Sequence, residues 1–201
     1  MKGIFLLDVD TQKDFILSSG RLAVAGAERM TARLRRVFEF ARRSAVTVVS
    51  PVHAHQPGDW ELKLFPPHCM IGTEGLKKVD DTLLRRPLVL ENKPLTVSLA
   101  ESARRHQQII VERPEWDLFS NPVMADLLRL LPSHAIVFGV PTEHSIKSAT
   151  LALKQRGVKA AVVSDLVLPL EPRSGEAAVQ EMRREGVEFI TLDTLMSIYS
   201  G

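Results

Sequence analysis

Residues 135–163 read AIVFGVPTEHSIKSATLALKQRGVKAAVV, and this stretch decides the fold. Ala135-Ile-Val-Phe138 is a short apolar run with the character of a buried strand. From about Glu143 to Arg156 the pattern is helical, and Gly157 stops it. Val158 to Val163 is apolar and β-branched again, a second strand. A strand, a helix and a further strand in this order form a βαβ unit, whose two strands lie parallel.

The same rhythm extends in both directions. Downstream, Ser174 to Glu185 is helical, Gly186 ends it, Val187 to Ile190 is a strand, and Thr191 to Tyr199 is a closing helix. Upstream, Gly3 to Val9 is a buried strand. From Ala27 to Ser44, Met30, Leu34, Val37, Phe38 and Ala41 recur at helical spacing. Val46 to Ser50 is a strand that ends at Pro51. Ile109 to Val111 is another, followed by a helix over Pro122 to Leu131. Six apolar strands alternating with helices predict an α/β fold with a doubly wound, mostly parallel sheet and helices on both faces. Residues 51–105 break the rhythm and are rich in Pro, His and Gly. Such a long irregular insert is usually functional. No repeat, low-complexity tract or linker divides residues 1–201, which read as one domain.

Composition narrows the function. Lys and Arg total 26 against 24 Asp and Glu, a net charge of +2, which argues for neither nucleic acid nor membrane as a partner. Cys69 is the single cysteine, so no internal disulfide can form, as suits a reducing compartment. No span approaches the ~20 apolar residues of a transmembrane helix. The expected location is the cytoplasm.

In open α/β sheets the ligand binds beyond the carboxyl ends of the strands, where the strand order reverses. Asp10 lies there, just past the first strand. After the second come His53 and His55, whose i, i+2 spacing turns both side chains to one side of an extended segment. Pro66-Pro67 brings back His68. Three of the six histidines within sixteen positions form a metal-like cluster, and imidazole suits zinc, iron or nickel. Asp59 or Glu61 could add an oxygen ligand. After the third strand comes Arg113. After the fourth, Thr142 reads as a helix N-cap and places Ser145 in the first helical turn, where free N–H groups favour anions. Taken alone, Ser145 is an ordinary polar helix residue.

These strand ends together resemble the isochorismatase-like hydrolases, or cysteine hydrolase superfamily, and within it the nicotinamidase branch. Leu7-Asp-Val-Asp-Thr-Gln-Lys-Asp-Phe15 is similar to the opening D-x-Q-x-D-F block. His53-Ala-His55 through Phe65-Pro-Pro-His-Cys-Met-Ile-Gly-Thr-Glu-Gly75 is similar to the metal segment, D-x-H … P-P-H-C-x-x-G-T-x-G. Gly139-Val-Pro-Thr-Glu-His-Ser145 resembles the nucleophile block G-V-A-T-[DE]-x-C. The resemblance implies a six-stranded sheet in order 3-2-1-4-5-6 and an Asp–Lys–Cys triad. It also implies a divalent metal, zinc or iron, on His53, His55 and His68, which would hold a pyridine nitrogen. Phe15 and Phe65 would sandwich the ring of a small planar heteroaromatic amide, and His144 would line that pocket. The resemblance further implies a homo-oligomer.

Asp10 matches the triad, and the other catalytic positions depart from it. Ser145 stands for the cysteine, and a hydroxyl needs a strong adjacent base where a thiol does not. His144 is its sequence neighbour, but adjacent helical side chains do not face each other. Arg113 aligns with the lysine, and a guanidinium with a pKa above about 12 exchanges no proton near neutrality. Lys93, in the irregular insert, is its rival. Pro141 stands for the alanine of the Val140–Pro141–Thr142 loop, which predicts a cis Val140–Pro141 bond and removes an N–H that the resemblance assigns to the oxyanion hole. His53 replaces a metal aspartate.

Four readings follow. The first is a nicotinamidase-like protein that keeps the metal and the pocket while its amidase activity is weak or lost. The second is an active hydrolase in which metal-activated water attacks an amide and Asp10 moves protons. The third is an isochorismatase-like vinyl-ether hydrolase using Asp10, against which the histidine segment argues. The fourth is a subunit that only assembles.

Overall fold

The computed structural model describes residues 3–95 and 98–199. Its strands are β1 (Phe5–Val9), β2 (Val48–His53), β3 (Leu88–Leu90), β4 (Gln108–Arg113), β5 (His134–Gly139), β6 (Lys159–Val167) and β7 (Glu188–Ile190). All neighbouring pairs are parallel, in the order β3-β4-β2-β1-β5-β6-β7. The expectation of six strands in order 3-2-1-4-5-6 is therefore corrected to seven. The added strand, β3, lies inside the stretch read as irregular and forms one edge of the sheet. Without it, the remaining strands keep the expected relative order.

Helices cover both faces. One apolar layer joins α2 (Thr31–Ser44) and α7 (Leu192–Tyr199) to Leu6, Val48, Ile136 and Val163 of the sheet. The other joins α4 (Met124–Leu128), α5 (Lys147–Gln155) and α6 (Pro172–Arg184) to Leu7, Val49, Val137 and Val162. Two short helices, α1 (Lys13–Ile16) and α3 (Leu99–Arg104), complete the set. Every β1 residue is buried, as a central parallel strand requires. Among the described residues, no helix is long and apolar enough to cross a membrane.

Two sequence readings near the site are corrected. The second strand runs through Pro51 to His53, because Pro51 stays in register with Val111 and its carbonyl accepts from Asp10 N–H at 3.0 Å. His53 is thus a strand terminus rather than a loop residue. The helix read from Glu143 starts as a π-helical turn, Thr142–Ile146, before α5. Thr142 is not its cap: Pro141 holds that position and the Thr142 Oγ1 has no partner among the described residues.

The chain reverses its strand order between β1 and β5. There Gly139, with φ +123°, lets the two backbones meet, since a Cβ would sit 1.9 Å from the Val9 carbonyl oxygen. The carboxyl ends of β4, β2, β1 and β5 lie in a row at this reversal, so Arg113, His53, Asp10 and the loop leading to Ser145 become neighbours.

Candidate active site

Asp10 caps β1 in a left-handed conformation, φ +50°. Its Oδ2 accepts from Arg113 Nη2 at 2.7 Å and lies 3.1 Å from His53 Nδ1. That second contact is close but not aligned as a hydrogen bond, and His53 Nδ1 and Asp10 Oδ1 both lack partners among the described residues. Burial raises the Asp10 carboxyl's pKa, but the Arg113 guanidinium and the His53 ring outweigh it and bring it down to about 2. Ser145 is buried near enough to favour that ionised carboxylate, yet its Oγ makes no hydrogen bond among the described residues. Pro141 follows Val140 through a cis bond, as expected, and has no N–H to offer. Lys93 is not a rival for Arg113: it pairs with Glu91 at 2.7 Å on the surface, its side chain 66% exposed.

Groups from the insert and β2 surround a second focus. Ligand atoms of His53, His55 and Glu61 all lie within 4.8 Å of one another. Glu61 Oε2 is 3.1 Å from His53 Nε2 and 3.5 Å from His55 Nε2. Nitrogen and oxygen ligands at about 2.0–2.1 Å from a tetrahedral zinc lie about 3.3–3.4 Å apart, so these spacings fit such an ion. The His55 Nε2 is buried with no hydrogen-bond partner among the described residues, while its Nδ1 faces Asp59 Oδ2 at 3.2 Å. A carboxylate behind a histidine is the usual outer support of a metal ligand. Asp59 thus stands behind the set and Glu61 within it. His68 Nδ1–H donates to Pro66 O at 2.9 Å, which leaves Nε2 as the acceptor, and its ring packs edge-on to His55 at 4.7 Å. It does not join the 4.8 Å set.

Charge follows this crowding. Burial works against the Glu61 carboxylate, but the His53 and His55 rings hold its pKa far below the usual range. Burial also disfavours a charged His53, and the Asp10 carboxylate reverses this, so its pKa is raised. Burial dominates at His68, bringing it down to about 4, and it lowers His144 as well.

An aromatic mouth adjoins both foci. Phe15 packs on His53 and His68, with centroids 5.5 and 5.2 Å away. His144 stands between Phe65, edge-on at 5.4 Å, and Trp116, stacked at 5.2 Å. Leu22, Pro141 and Leu170 complete the wall. The open space inside is ≈ 10 Å³, enough for about one water. A planar ligand therefore needs side chains at this mouth to move.

Two participants were not picked out from sequence. Trp116 follows Arg113 in the same strand-end loop and donates its backbone N–H to Glu61 Oε1 at 2.6 Å. Gln12 holds both backbone groups of His53: Nε2 donates to His53 O at 2.7 Å, and Oε1 accepts from His53 N at 2.8 Å. The sequence signal for Trp116 was its position close to a strand's carboxyl end, and Gln12 stands in the D-x-Q block without a role being assigned to it.

Residues 5–194 match the isochorismatase domain family. No curated protein matches the chain in sequence. Solved structures share the fold. An isochorismatase-like hydrolase from Alkaliphilus metalliredigens is 17% identical at a TM-score of 0.81, over 98% of this chain and 99% of that one. The pyrazinamidase/nicotinamidase of Streptococcus mutans is 19% identical at 0.74, over 93% and 99%. The pyrazinamidase of Pyrococcus horikoshii, crystallised in complex with zinc, is 18% identical at 0.73, over 94% and 99%. With the domain match spanning almost all of the chain and the strand-end site in place, this protein belongs to the isochorismatase family.

Proposed function

We propose that this protein binds a divalent metal, zinc before iron, together with a small planar heteroaromatic amide or acid, and that its amide hydrolysis is weak or absent. The observation that carries the reading is Ser145: a buried hydroxyl with no hydrogen-bond partner among the described residues. To attack, it would have to pass its proton to Asp10, and a carboxyl at about 2 is a poor acceptor for a hydroxyl proton. Arg113 holds that carboxylate ionised and cannot itself exchange a proton. Pro141 removes a candidate oxyanion donor, a loss that costs about 10²–10³ in rate.

His53, His55 and Glu61 would hold the metal, with His68 beside them. When bound, zinc would supply Lewis-acid polarisation and an anchor for a ring nitrogen. Phe15, Phe65, Trp116 and His144 would grip the ring. Vinyl-ether hydrolysis is the weaker reading, because it opens with protonation of carbon and Asp10 is unprotonated near neutrality.

The test is ammonia release from nicotinamide by zinc-supplemented protein, beside Asp10→Ala and with calorimetric titration of nicotinamide. The expected result is binding without release above the variant. Release that disappears in Asp10→Ala would overturn the proposal and show that attack proceeds without a thiol.

A further inference from the structure

We propose that Arg113 is a built-in competitor of the metal: its guanidinium caps His53 Nε2, and loading of that ligand requires the guanidinium to withdraw. The inference rests on the metal reading given above.

The ring of His53 has little freedom. Gln12 holds its backbone on both sides, at 2.7 and 2.8 Å. Asp10 faces Nδ1 at 3.1 Å. On the other edge, Nε2 lies 3.1 Å from Glu61 Oε2 and 3.1 Å from Arg113 Nη1. With its proton on Nδ1, the nitrogen facing Asp10, a neutral His53 has one lone pair on Nε2. It can accept the Arg113 N–H or bind a cation, not both at once.

Arg113 is built to stay there. It ends β4 directly opposite His53 in the sheet register. Its Nη2 donates to Asp10 Oδ2 at 2.7 Å and its Nη1 also donates to Glu115 O. It is 1% exposed, so its charge is poorly screened. The forked shape matters. A guanidinium reaches Asp10 with one nitrogen and His53 with another, whereas an ammonium is a single point. His55 Nε2 has no such cap among the described residues, and it stays open to a metal. The consequence is a site whose apparent affinity falls by the fraction of time that His53 is capped.

Chelator-competition titration with zinc alone tests this on wild type, Arg113→Lys and Arg113→Gln. Lysine keeps the charge and loses the fork. Glutamine also loses the charge, and its amide still offers Asp10 a donor. Zinc should bind about tenfold more tightly to Arg113→Lys and about 100-fold more tightly to Arg113→Gln, the range over which outer groups tune a metal ligand. A merely structural arginine would give the opposite sign, because a damaged site loses metal.

Circular dichroism establishes that each variant is folded. Should a variant fail to fold, arginine side-chain nitrogen resonances of the wild type carry the test: zinc should shift one buried guanidinium, and no shift overturns the proposal. Zinc binding that is unchanged or weaker in folded variants also overturns it, and leaves the metal reading standing. No zinc in the wild type or either variant overturns both.

Discussion

The sheet and helices outside the insert, and the segment between β2 and β4, are held by different forces. The first is a packed frame: Val137, Leu153, Val162 and Met182 share one apolar layer, and the helices follow from their spacing. The second has little regular structure and is stitched through polar groups to the turn after β1. Asp14 Oδ2 accepts from Cys69 N at 2.7 Å, Val79 N donates to Thr11 O at 3.0 Å, and Gln12 Nε2 donates to Leu76 O at 2.8 Å. The fit is close enough that a Cβ on Gly75 would lie 2.0 Å from Asp14 Oδ2. The lesson is that a long irregular segment can be fixed in place when its buried polar groups find partners. The candidate ligands His55, Glu61 and His68 all lie in this stitched part, and the frame supplies Asp10, His53, Arg113 and Ser145.

The strongest way to break this comparison is to cut the deepest stitch. Lys78 is buried with its Nζ 2.6 Å from Asp8 Oδ2 and 2.5 Å from Thr11 Oγ1. Ser50 Oγ donates to the same carboxylate oxygen at 2.8 Å. Lys78→Met strands a buried charge in β1 and should cost about 3–5 kcal/mol in urea unfolding. Removing both charges, as Lys78→Met with Asp8→Leu, should recover most of that loss. A double variant as unstable as the single one would mean that the pair does more than neutralise itself.

The two regions also differed in how far they could be read in advance. The frame was legible because apolar periodicity reports burial, residue by residue. The insert was not. Leu88-Val-Leu90 forms β3 with only three residues, too short an apolar run to mark a strand within a stretch rich in Pro and charge. Pro51 looks like a strand end, yet the strand continues through it to His53. Asp10, His53, His55 and Arg113 were found because the strand-end rule points at them. Glu61 was only an option beside Asp59, because what fixes it is Trp116, 55 positions away. Gln12 stands in the D-x-Q block, but its role exists only once His53 lies across from it.

A second prediction sets the site's burial against water. In the metal-free protein the His68 pKa falls from an ordinary 6.5 to about 4, chiefly through burial. The unfolded chain therefore binds a proton that the folded one refuses, and stability rises with pH across that window. Acidifying from pH 6.5 toward about 4 should remove on the order of 3 kcal/mol. His68→Phe should flatten the slope there. Asp10 acts lower down: its stabilisation is complete above its ordinary 3.8 and is lost as pH falls toward about 2. An unchanged slope in His68→Phe would mean that another group takes up the proton.

The smallest effect sharpens the comparison most, because it repeats the chemistry of the deepest stitch in water. Arg35 of α2 donates to Asp81 of the insert through Nε at 2.7 Å and Nη2 at 3.3 Å. Like Lys78–Asp8, this is a cation and a carboxylate joining frame to insert. Its side chains are 61% and 25% exposed, where those of Lys78 and Asp8 are 2% and 0%. Solvent screens the exposed pair, and each partner left alone is rehydrated rather than stranded. Arg35→Ala should therefore cost less than about 1 kcal/mol, and the loss should shrink further in molar salt. A cost equal to that of Lys78→Met would mean that position between the two regions, and not burial, sets the strength of the stitching.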